Sequence, residues 1–493
     1  MQDGTLLAAV DLGSNSFRLE IGRLDHRQIH RVEYLKETVR QGGGLDEDRN
    51  LTPAAMQRGW DCLARFAERL AGFPRHHVRA VATQTLREAR NREDFIARGS
   101  EILGFPINIV SGLEEARLIY QGVARLLPQS DERRLVVDIG GRSTELILGR
   151  QFTPAAVASC RVGSVAWSAR HFADGALTRQ AFESAETAAK AVLDEAIGSY
   201  QRGAWDVAYG ASGTVGAVGA ILAAAGGEKG VIRRDGLDWL QEQLLRARHV
   251  DRLRLDGLKD DRRPVIGGGV SIVRAVFELL DIDRMTVAQG ALRQGALYDL
   301  LDREQPETDL RSDSVRALMR RFAVDHEHAE RVAQLACRLF TDAAPPGSER
   351  AARKLDWAAR LHEIGRRISH SDYHHHGAYI LNHADAAGFA LPELHRLSLL
   401  VLGHRGKLRK LQAADLDDPV FALQLMCLRT AVALCHARRA PDVEGITLRL
   451  EGRRCIVRSR EGWSASYPQS AHLLREEGCA WQKTAWEFLA DLS

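Results

Sequence analysis

One short pattern occurs twice in this chain of 493 residues, at 10–23 (VDLGSNSFRLEIGR) and at 137–150 (VDIGGRSTELILGR). Aligned without gaps, the two segments share seven of their fourteen residues. Each reads as a strand that ends on an aspartate, a glycine-rich turn, and a second strand of alternating pattern. Self-similarity at a separation of 127 residues indicates a duplicated domain.

The repeated turn is suited to hold phosphate. Glycines let backbone N–H groups approach an anion closely, and successive N–H groups form a nest around it. An aspartate at the end of the strand can bind a divalent cation that bridges phosphate oxygens. Two ordinary hairpins are the alternative, but the matched copies favour phosphate binding, as do further glycine-rich turns predicted at 210–216 and 266–271.

The remaining patterns predict an α/β region followed by helices. Strands alternate with helices up to about residue 305, and Ser111 is the expected N-cap of a helix that begins with GLEEARLIY. Residues 311–440 have helical periodicity. Residues 446–493 are predicted to contain two strands and to end in a helix.

Composition excludes several classes of protein. The hydrophobic and charged fractions, 45% and 27%, are typical of a soluble globular chain. No apolar run reaches the roughly 18 residues of a membrane-spanning helix, and the N-terminus lacks the pattern of a signal peptide. We therefore expect a cytoplasmic protein with no membrane partner and no specific nucleic-acid partner.

Six motifs occur in order along nearly the whole chain: DLGSNSFR (11–18), ATQTLREARN (82–91), SGLEEARLIY (111–120), DIGGRSTEL (138–146), GASGTVGAV (210–218), and LHEIG (361–365) followed by HHGAYIL (375–381). In this order they resemble the exopolyphosphatase / guanosine pentaphosphate phosphohydrolase family of the actin-like ATPase superfamily.

The resemblance implies an α/β fold in which two actin-like (ribonuclease H-like) lobes enclose a cleft. An all-α HD-like domain and a small C-terminal α+β segment would follow. The expected domains are lobe I, lobe II, the HD-like domain and the C-terminal domain, at residues 1–126, 127–305, 306–441 and 442–493.

The resemblance also implies a mechanism. It assigns the general base to Glu115 and the metal-binding carboxylates to Asp138 and Glu145, with Mg²⁺ or another divalent cation as cofactor. Hydrolysis of a phosphoanhydride independently requires a positioned water, a base and charge neutralisation. Glu114 and Glu115 lie in the first turn of a helix, where the dipole favours carboxylates. They project about 100° apart, so we expect only one of them to face the ligand.

Phosphate contacts are predicted for residues of the two turns and of two further motifs. Arg87 and Asn91 lie in TLREARN, where a surface ion pair is the alternative role, and Lys36 and Arg40 are weaker candidates. The predicted phosphate-binding residues are Asp11, Gly13, Ser14, Asn15, Ser16, Arg87, Gly140, Gly141, Arg142, Ser143, Thr144, Ser212, Gly213 and Thr214.

Arg142 departs from the family pattern, which has a third glycine in DIGGGSTE. An arginine lacks the freedom of glycine at positive φ and blocks close approach to the backbone. It could instead offer its guanidinium to phosphate. Asn15 occupies the equivalent place in the first turn, so a side chain is tolerable there. We expect Arg142→Gly to change KM or chain-length preference more than kcat.

The C-terminal part of the chain is histidine-rich and mildly basic. Residues 311–493 carry 27 Lys and Arg against 22 Asp and Glu, which suits an anionic partner or a solvated surface. His328, His362-Glu363, His376 and His404 have spacings that resemble an HD-type phosphohydrolase, with glutamate in place of the usual aspartate. We expect a degenerate domain without metal. A path for a polyanion is predicted along Arg366, Arg367, His375, His376, Arg405 and Lys407.

The first functional hypothesis is an exopolyphosphatase that acts on inorganic polyphosphate. The alternative is a guanosine pentaphosphate (pppGpp) phosphohydrolase, or a protein with both activities. An actin-like kinase and a non-catalytic regulator that binds polyphosphate or nucleotide are further alternatives. The resemblance also implies a homodimer.

Overall fold

The computed structural model describes residues 1–304 and 309–492, and the chain divides into two compact units, Met1–Thr308 and Asp309–Ser493. The predicted boundary at 305/306 lies outside the described residues. The boundaries predicted at 126/127 and at 441/442 stay predictions.

The strands of the first unit are β1 (Leu6–Leu12), β2 (Phe17–Asp25), β3 (Gln28–Glu37), β4 (Val78–Ala82), β5 (Ile107–Ile109), β6 (Arg134–Ile139), β7 (Thr144–Arg150), β8 (Thr153–Cys160), β9 (Val207–Ala211), β10 (Val231–Arg233) and β11 (Arg284–Val287). Its α-helices are α1 (Pro53–Leu70), α2 (Gln84–Glu88), α3 (Arg92–Leu103), α4 (Gly112–Ala124), α5 (Ser164–His171), α6 (Arg179–Leu193), α7 (Ser212–Ala224), α8 (Arg234–Ala247), α9 (Ile266–Leu279) and α10 (Leu292–Glu304).

Two sheets of the first unit share one topology. Their orders are β3-β2-β1-β4-β5 and β8-β7-β6-β9-β11, and the second sheet continues with β10 at its edge. In both sheets, the strand that carries the repeated aspartate pairs antiparallel with the next strand and parallel with a later one. This is the duplicated architecture that the repeated sequence pattern predicts.

Helix α4 follows the first sheet and is fixed at its start by the predicted cap. The Ser111 hydroxyl accepts a hydrogen bond from the backbone N–H of Glu114, at 3.1 Å. Helix α10 crosses α4 closely, because a Cβ on Gly295 would lie 1.8 Å from the carbonyl oxygen of Leu118. Although the predicted second lobe includes α10, this helix packs on β1 of the first sheet through Leu297 and its neighbours.

The glycine-rich segment at 266–271 is not the predicted turn but the beginning of α9 itself. A Cβ on Gly268 would lie 2.6 Å from the backbone nitrogen of Ser168 in α5. The absence of a side chain at Gly268 therefore allows α9 to pack closely against α5. The segment at 210–216 is similarly the end of β9 and the first turns of α7.

The α-helices of the second unit are α11 (Leu310–Arg321), α12 (His326–Ala343), α13 (Glu349–Leu361), α14 (Tyr373–His383), α15 (Leu391–Gly403), α16 (Ala413–Asp417), α17 (Pro419–Leu434), α18 (Trp463–Ser466) and α19 (Pro468–Trp481). Its strands are β12 (Thr447–Glu451), β13 (Arg454–Arg458) and β14 (Glu487–Asp491).

The second unit is mainly helical and is completed by a small sheet in the order β12-β13-β14. The helix predicted at the C-terminus is wrong, because α19 is followed by β14, which pairs parallel with β13. The segment alternates in burial around Phe488, and the indole of Trp486 just before it donates to the carbonyl oxygen of Leu416 at 2.7 Å. Among the helices of the described residues, none combines the length and apolarity needed to cross a membrane.

Candidate active site

A narrow cavity of ≈ 80 Å³ lies between the two sheets of the first unit. The two repeated turns meet there, because a Cβ on Gly141 would lie 2.9 Å from Cβ of Ser14. Most of the predicted phosphate-binding residues line this cavity. The lining residues among the predicted set are Asp11, Gly13, Ser14, Asn15, Ser16, Glu115, Asp138, Gly140, Gly141, Ser143, Ser212, Gly213 and Thr214.

The two hairpins place equivalent residues opposite each other, but with different charges. In the first hairpin, Asp11 of β1 is the cross-strand partner of Arg18 in β2. In the second hairpin, Asp138 of β6 is the partner of Glu145 in β7. Cross-strand partners project from the same face of a sheet. The first copy therefore pairs opposite charges, and the second copy brings together two carboxylates.

The aspartate of the first copy is held by arginines. Its Oδ2 lies 3.2 Å from Nη1 of Arg18 and 3.5 Å from Nη1 of Arg293, which is the second residue of α10. Arg293 also contacts Glu20 of β2, at 3.2 Å. The first turn thus carries its own countercharge, and its carboxylate is committed before any ligand arrives.

The carboxylates of the second copy form a buried cluster with Glu115. Burial and then the charge of Glu115 raise the pKa of Asp138 to about 7. Burial, followed by the charges of Glu115 and Asp138, raises the pKa of Glu145 well above its usual value. Burial also raises the pKa of Glu115, although Arg87 opposes this effect. The three acids cannot all ionise cheaply at neutral pH without an added positive charge.

Helix α4 separates the two glutamates as its geometry requires. Glu114 is buried in an ion-pair network, with Oε2 2.7 Å from Nε of Arg117, whose Nη2 lies 2.5 Å from Asp299 of α10. Glu115 instead lines the cavity, and its Oε2 accepts from Nη1 of Arg87 at 2.7 Å. Glu114 therefore anchors the helix, while Glu115 faces the cavity with Arg87 as its partner.

Three arginines that line the cavity were not among the predicted site residues. They are Arg18, Arg262 and Arg293. Arg262 lies directly over the start of α7, since a Cβ on Gly213 would be 2.2 Å from its Nη2. Burial, followed by the charge of Arg18, lowers the pKa of Arg262. Arg18 belongs to the DLGSNSFR motif and could have been found there, whereas the other two are brought in by distant parts of the chain.

The start of α7 supplies hydroxyl groups to the same cavity. Ser212 has φ 87°, a left-handed conformation that is uncommon for a residue with a side chain. Its hydroxyl donates to the carbonyl oxygen of Ile139 at 2.8 Å and accepts from the N–H of Thr214 at 3.2 Å. These two bonds tie the turn that follows β6 to the beginning of α7.

Several predicted residues lie outside the cavity lining, each with an identifiable partner. The hydroxyl of Thr144 donates to the carbonyl oxygen of Val162 at 2.6 Å. Asn91 makes two hydrogen bonds to the backbone of Leu51. Lys36 pairs with Asp261 at 2.6 Å.

Four more of the predicted residues also lie outside the lining and are engaged. Oε1 of Glu145 accepts a hydrogen bond from the Ser159 hydroxyl at 2.8 Å. Arg87 pairs with Glu115, and Arg142 pairs with Glu88 at 2.7 Å. Arg40 has φ 54° and contacts the first turn through its backbone N–H, which donates to the carbonyl oxygen of Asn15 at 2.9 Å.

His328, His362 and His404 form a buried cluster in the second unit, and the fourth buried histidine is His374, not the predicted His376. The rings of His328 and His362 are 5.5 Å apart, and those of His362 and His404 are 5.3 Å apart. Nδ1 of His362 lies 2.7 Å from the carbonyl oxygen of Ala359, and Nδ1 of His404 lies 2.6 Å from that of Val401. Burial lowers the pKa of His362 to about 4 and that of His404 well below its usual value.

His328, His362 and Glu363 lie close enough to hold a cation together. However, Glu363 is already paired with two arginines: Nη2 of Arg438 lies 2.5 Å from it, and Nη1 of Arg366 lies 2.7 Å from it. These guanidinium groups occupy the carboxylate that a metal ion would need. The expectation of a domain without metal remains a prediction.

The predicted polyanion path lies on the second unit with mixed exposure. Arg367, His375, Arg405 and Lys407 are exposed, whereas Arg366 and His376 are half-buried. The Arg405 guanidinium stacks over the Tyr373 ring at 4.7 Å, and Arg366 is paired with Glu363. Four of the six side chains are thus exposed to solvent.

Comparison with known proteins matches both units of the chain to one family. A model of the Ppx/GppA phosphatase family matches residues 21–304, and a model of domain III of that phosphatase family matches residues 310–477.

Two relatives cover nearly the same length. A guanosine-5′-triphosphate,3′-diphosphate pyrophosphatase of Vibrio atlanticus (strain LGP32) is 39% identical over 486 residues, which are 98% of this chain and 97% of that protein. The protein of the same description from Vibrio cholerae serotype O1 (strain ATCC 39541) is 41% identical over 443 residues, 89% of this chain and 88% of its own length. A crystal structure of an exopolyphosphatase-like protein is 26% identical with a TM-score of 0.55, and covers 60% of this chain and 98% of its own.

Proposed function

The chain belongs to the Ppx/GppA phosphatase family and is a hydrolase of phosphoanhydride bonds, and we propose that it removes the terminal phosphate of guanosine pentaphosphate. The relatives that share 39% and 41% of its residues are both described as guanosine-5′-triphosphate,3′-diphosphate pyrophosphatases. Their descriptions favour this substrate over inorganic polyphosphate, the first hypothesis from the sequence.

The observation that carries the proposed chemistry is the position of Glu115 at the cavity. Its carboxylate accepts the proton of a water that attacks the terminal phosphorus. Arg18, Arg262 and Arg293 neutralise the phosphate oxygens, and the backbone of the repeated turns donates to them. Because the carboxylates at this cavity are buried, water screens charges there less than charges at the surface.

The carboxylates of the second hairpin suit a divalent cation. Asp138 and Glu145 are buried cross-strand partners, and burial raises their pKa values more than the nearby arginines lower them, so a cation would let both ionise. Among the described residues, these two and Glu115 do not form a compact set of three ligand atoms. That arrangement fits Mg²⁺, which binds one or two carboxylates and keeps waters and substrate phosphates as its other ligands. Bound there, it would supply charge neutralisation to the transferred phosphate.

Exopolyphosphatase activity is the second candidate. It is supported by the likeness to a solved exopolyphosphatase-like protein. It is also supported by the cavity lining, whose hydrogen-bond donors suit phosphate rather than a nucleobase. We further propose that the two sheets of the first unit are the actin-like lobes, that the second unit is the HD-like domain, and that the chain works as a cytoplasmic homodimer.

The test is phosphate release from guanosine pentaphosphate and from long-chain polyphosphate, measured side by side with Mg²⁺. We expect kcat/KM to be higher for guanosine pentaphosphate, and Glu115→Gln to lose release from both. A preference for polyphosphate would reverse the choice of substrate, and release from neither would contradict the assignment of the cavity as a hydrolytic site.

A further inference from the structure

Arg142 extends from the second repeated turn to the opposite sheet. Its Nη2 and Nε lie 2.7 Å and 2.9 Å from Oε2 of Glu88, at the end of α2. Its Nη1 donates to the carbonyl oxygen of Gly42 at 3.1 Å. The residue does not have positive φ, so the backbone of this turn accepts an arginine without the strain expected from the sequence. Its guanidinium is therefore committed to a protein partner.

Glu88 is the first link of a continuous chain of hydrogen bonds. Its other oxygen, Oε1, accepts from Nε2 of Gln84 at 2.6 Å. Oε1 of Gln84 accepts from Nη2 and Nε of Arg87, at 2.6 Å and 3.0 Å. Arg87 then donates to Glu115 at 2.7 Å. These five residues, from Arg142 to Glu115, are called the relay below.

The short helix α2 makes the relay possible. Gln84, Arg87 and Glu88 are spaced at i, i+3 and i+4, so their side chains share one face of α2. Nη1 of Arg87 also donates to the carbonyl oxygen of Val110 at 2.9 Å, close to the start of α4. Gln84 is thus held from both sides, and its amide aims the Arg87 guanidinium at α4.

We propose that Arg142 is a positioning residue for the hydrolysis, which acts through the relay to hold Arg87 against Glu115. The inference rests on the proposed function of Glu115 as the base. The orientation of Glu115 then depends on Arg142, which lies on the other side of the cavity. Glu115 is correctly oriented only while the two repeated turns stay together. Gly42 and Glu88 belong to the first sheet's side of the cavity, and Arg142 to the second.

This role reverses the expectation that Arg142 contacts phosphate. Removal of a side chain that binds phosphate would raise KM, whereas misplacement of the base would lower kcat. A small misplacement of a reacting group costs a substantial part of the rate. Gln84 separates the two roles, because it belongs to the relay and does not line the cavity.

The experiment compares Arg142→Gly, Gln84→Ala and the double variant, on whichever of the two substrates the wild type hydrolyses. We expect each single variant to lower kcat by about tenfold with KM within about twofold, and the double variant to be no slower than either. Arg142→Lys should recover part of kcat, because lysine can still reach Glu88. Arg133→Ala is the matched control, since it removes another ion pair of the second sheet, with Asp206, outside the relay.

An increase in KM for Arg142→Gly with unchanged kinetics for Gln84→Ala would overturn the proposal and make Arg142 a substrate contact. Additive losses in the double variant would also overturn it. A crystal structure of Arg142→Gly gives a readout that does not depend on activity. Arg87 should leave Glu115 in that structure; if it stays, the relay does not position it. A wild type without activity on either substrate would instead contradict the proposed function.

Discussion

The two repeated hairpins have the same strand pairing, but they differ in charge at one pair of cross-strand positions. In the first, Asp11 faces Arg18 across the strands, and in the second Asp138 faces Glu145 at the same register position. The alignment that reveals the duplication places arginine against glutamate at this position. One substitution therefore separates a hairpin whose aspartate faces an arginine from a hairpin in which two carboxylates face each other.

This difference in charge favours different ligands for the two hairpins, phosphate for the first and a metal ion for the second. A carboxylate already paired with arginines has little to offer a metal ion, but its arginines remain available to phosphate. Two adjacent buried carboxylates are unfavourable when both are ionised, and a divalent cation relieves that repulsion. We therefore propose that the first copy mainly binds phosphate and that the second copy binds a metal ion.

The largest expected effect concerns Glu115, the proposed general base, which precedes the second copy in the sequence. Glu115→Gln should lower kcat by about 10²- to 10⁴-fold, the usual contribution of general base catalysis. Phosphate release at saturating substrate measures it. Glu114→Gln is the matched control, because Glu114 serves the ion-pair network with Arg117 and should affect stability rather than chemistry. Near-normal turnover of Glu115→Gln would remove this residue from the mechanism.

Glu145→Arg converts the charge pattern of the second hairpin into that of the first. We expect kcat to fall at least about 100-fold and the response to Mg²⁺ to disappear, because the charge stabilisation that a metal supplies is worth several kcal/mol. The measurement is phosphate release over a Mg²⁺ titration. A variant that keeps the Mg²⁺ dependence of the wild type would show that the second hairpin is not the metal side.

The same substitution in each copy should change stability in opposite directions. Without divalent ions at pH 7.5, Asp138→Asn should raise the free energy of unfolding by up to roughly 4 kcal/mol, because it removes a carboxylate whose pKa is raised to about 7. Asp11→Asn should lower it by about 1–3 kcal/mol, because Arg18 and Arg293 lose a charged partner. Urea unfolding measures both, and equal signs would contradict the comparison.

The pH dependence follows from the direction of the Asp138 shift. Between about pH 4 and pH 7 Asp138 keeps its proton in the folded protein but not in the unfolded chain, so the contribution of this group to stability without divalent ions decreases as the pH rises through that window. Asp138→Asn should flatten this slope, and Mg²⁺ should reduce it in the wild type. A wild-type slope that Asp138→Asn leaves unchanged would assign the pH dependence to other groups.

The smallest expected effect concerns the support of Glu145. Ser159 donates to its Oε1 at 2.8 Å, and this bond favours the ionised form. Ser159→Ala should raise the Mg²⁺ concentration for half-maximal rate by roughly threefold to tenfold, the loss of about one hydrogen bond. Unchanged Mg²⁺ dependence would show that this hydroxyl does not tune the second copy.

Local sequence signals predict much of this arrangement. The hairpins, the Ser111 cap and the division between Glu114 and Glu115 all follow from periodicities and capping rules that operate within a few residues. The duplication itself is visible as a repeat. The opposite charges at the positions of Arg18 and Glu145 were also readable from the aligned copies, once the strand register is considered.

The missing parts depend on contacts that are distant in sequence. Arg262 and Arg293 reach the cavity from segments more than 100 residues beyond either repeated turn, and no local pattern marks them. The partner of Arg142 is Glu88 in α2, the helix that follows β4 of the first sheet. The contact of the Arg142 guanidinium therefore could not be predicted from the sequence of its own turn. The final strand was mistaken for a helix because a short apolar run does not distinguish the two structures.

The proposal that the first hairpin binds phosphate and the second binds a metal ion is tested most directly by locating the cation. A crystal of the wild type containing Mn²⁺ and inorganic phosphate would reveal the ion through its anomalous scattering. The account predicts a peak at coordination distance from Asp138 or Glu145, with phosphate against the first turn and its arginines. A peak coordinated by Asp11, with the carboxylates of the second hairpin free of metal, would contradict it.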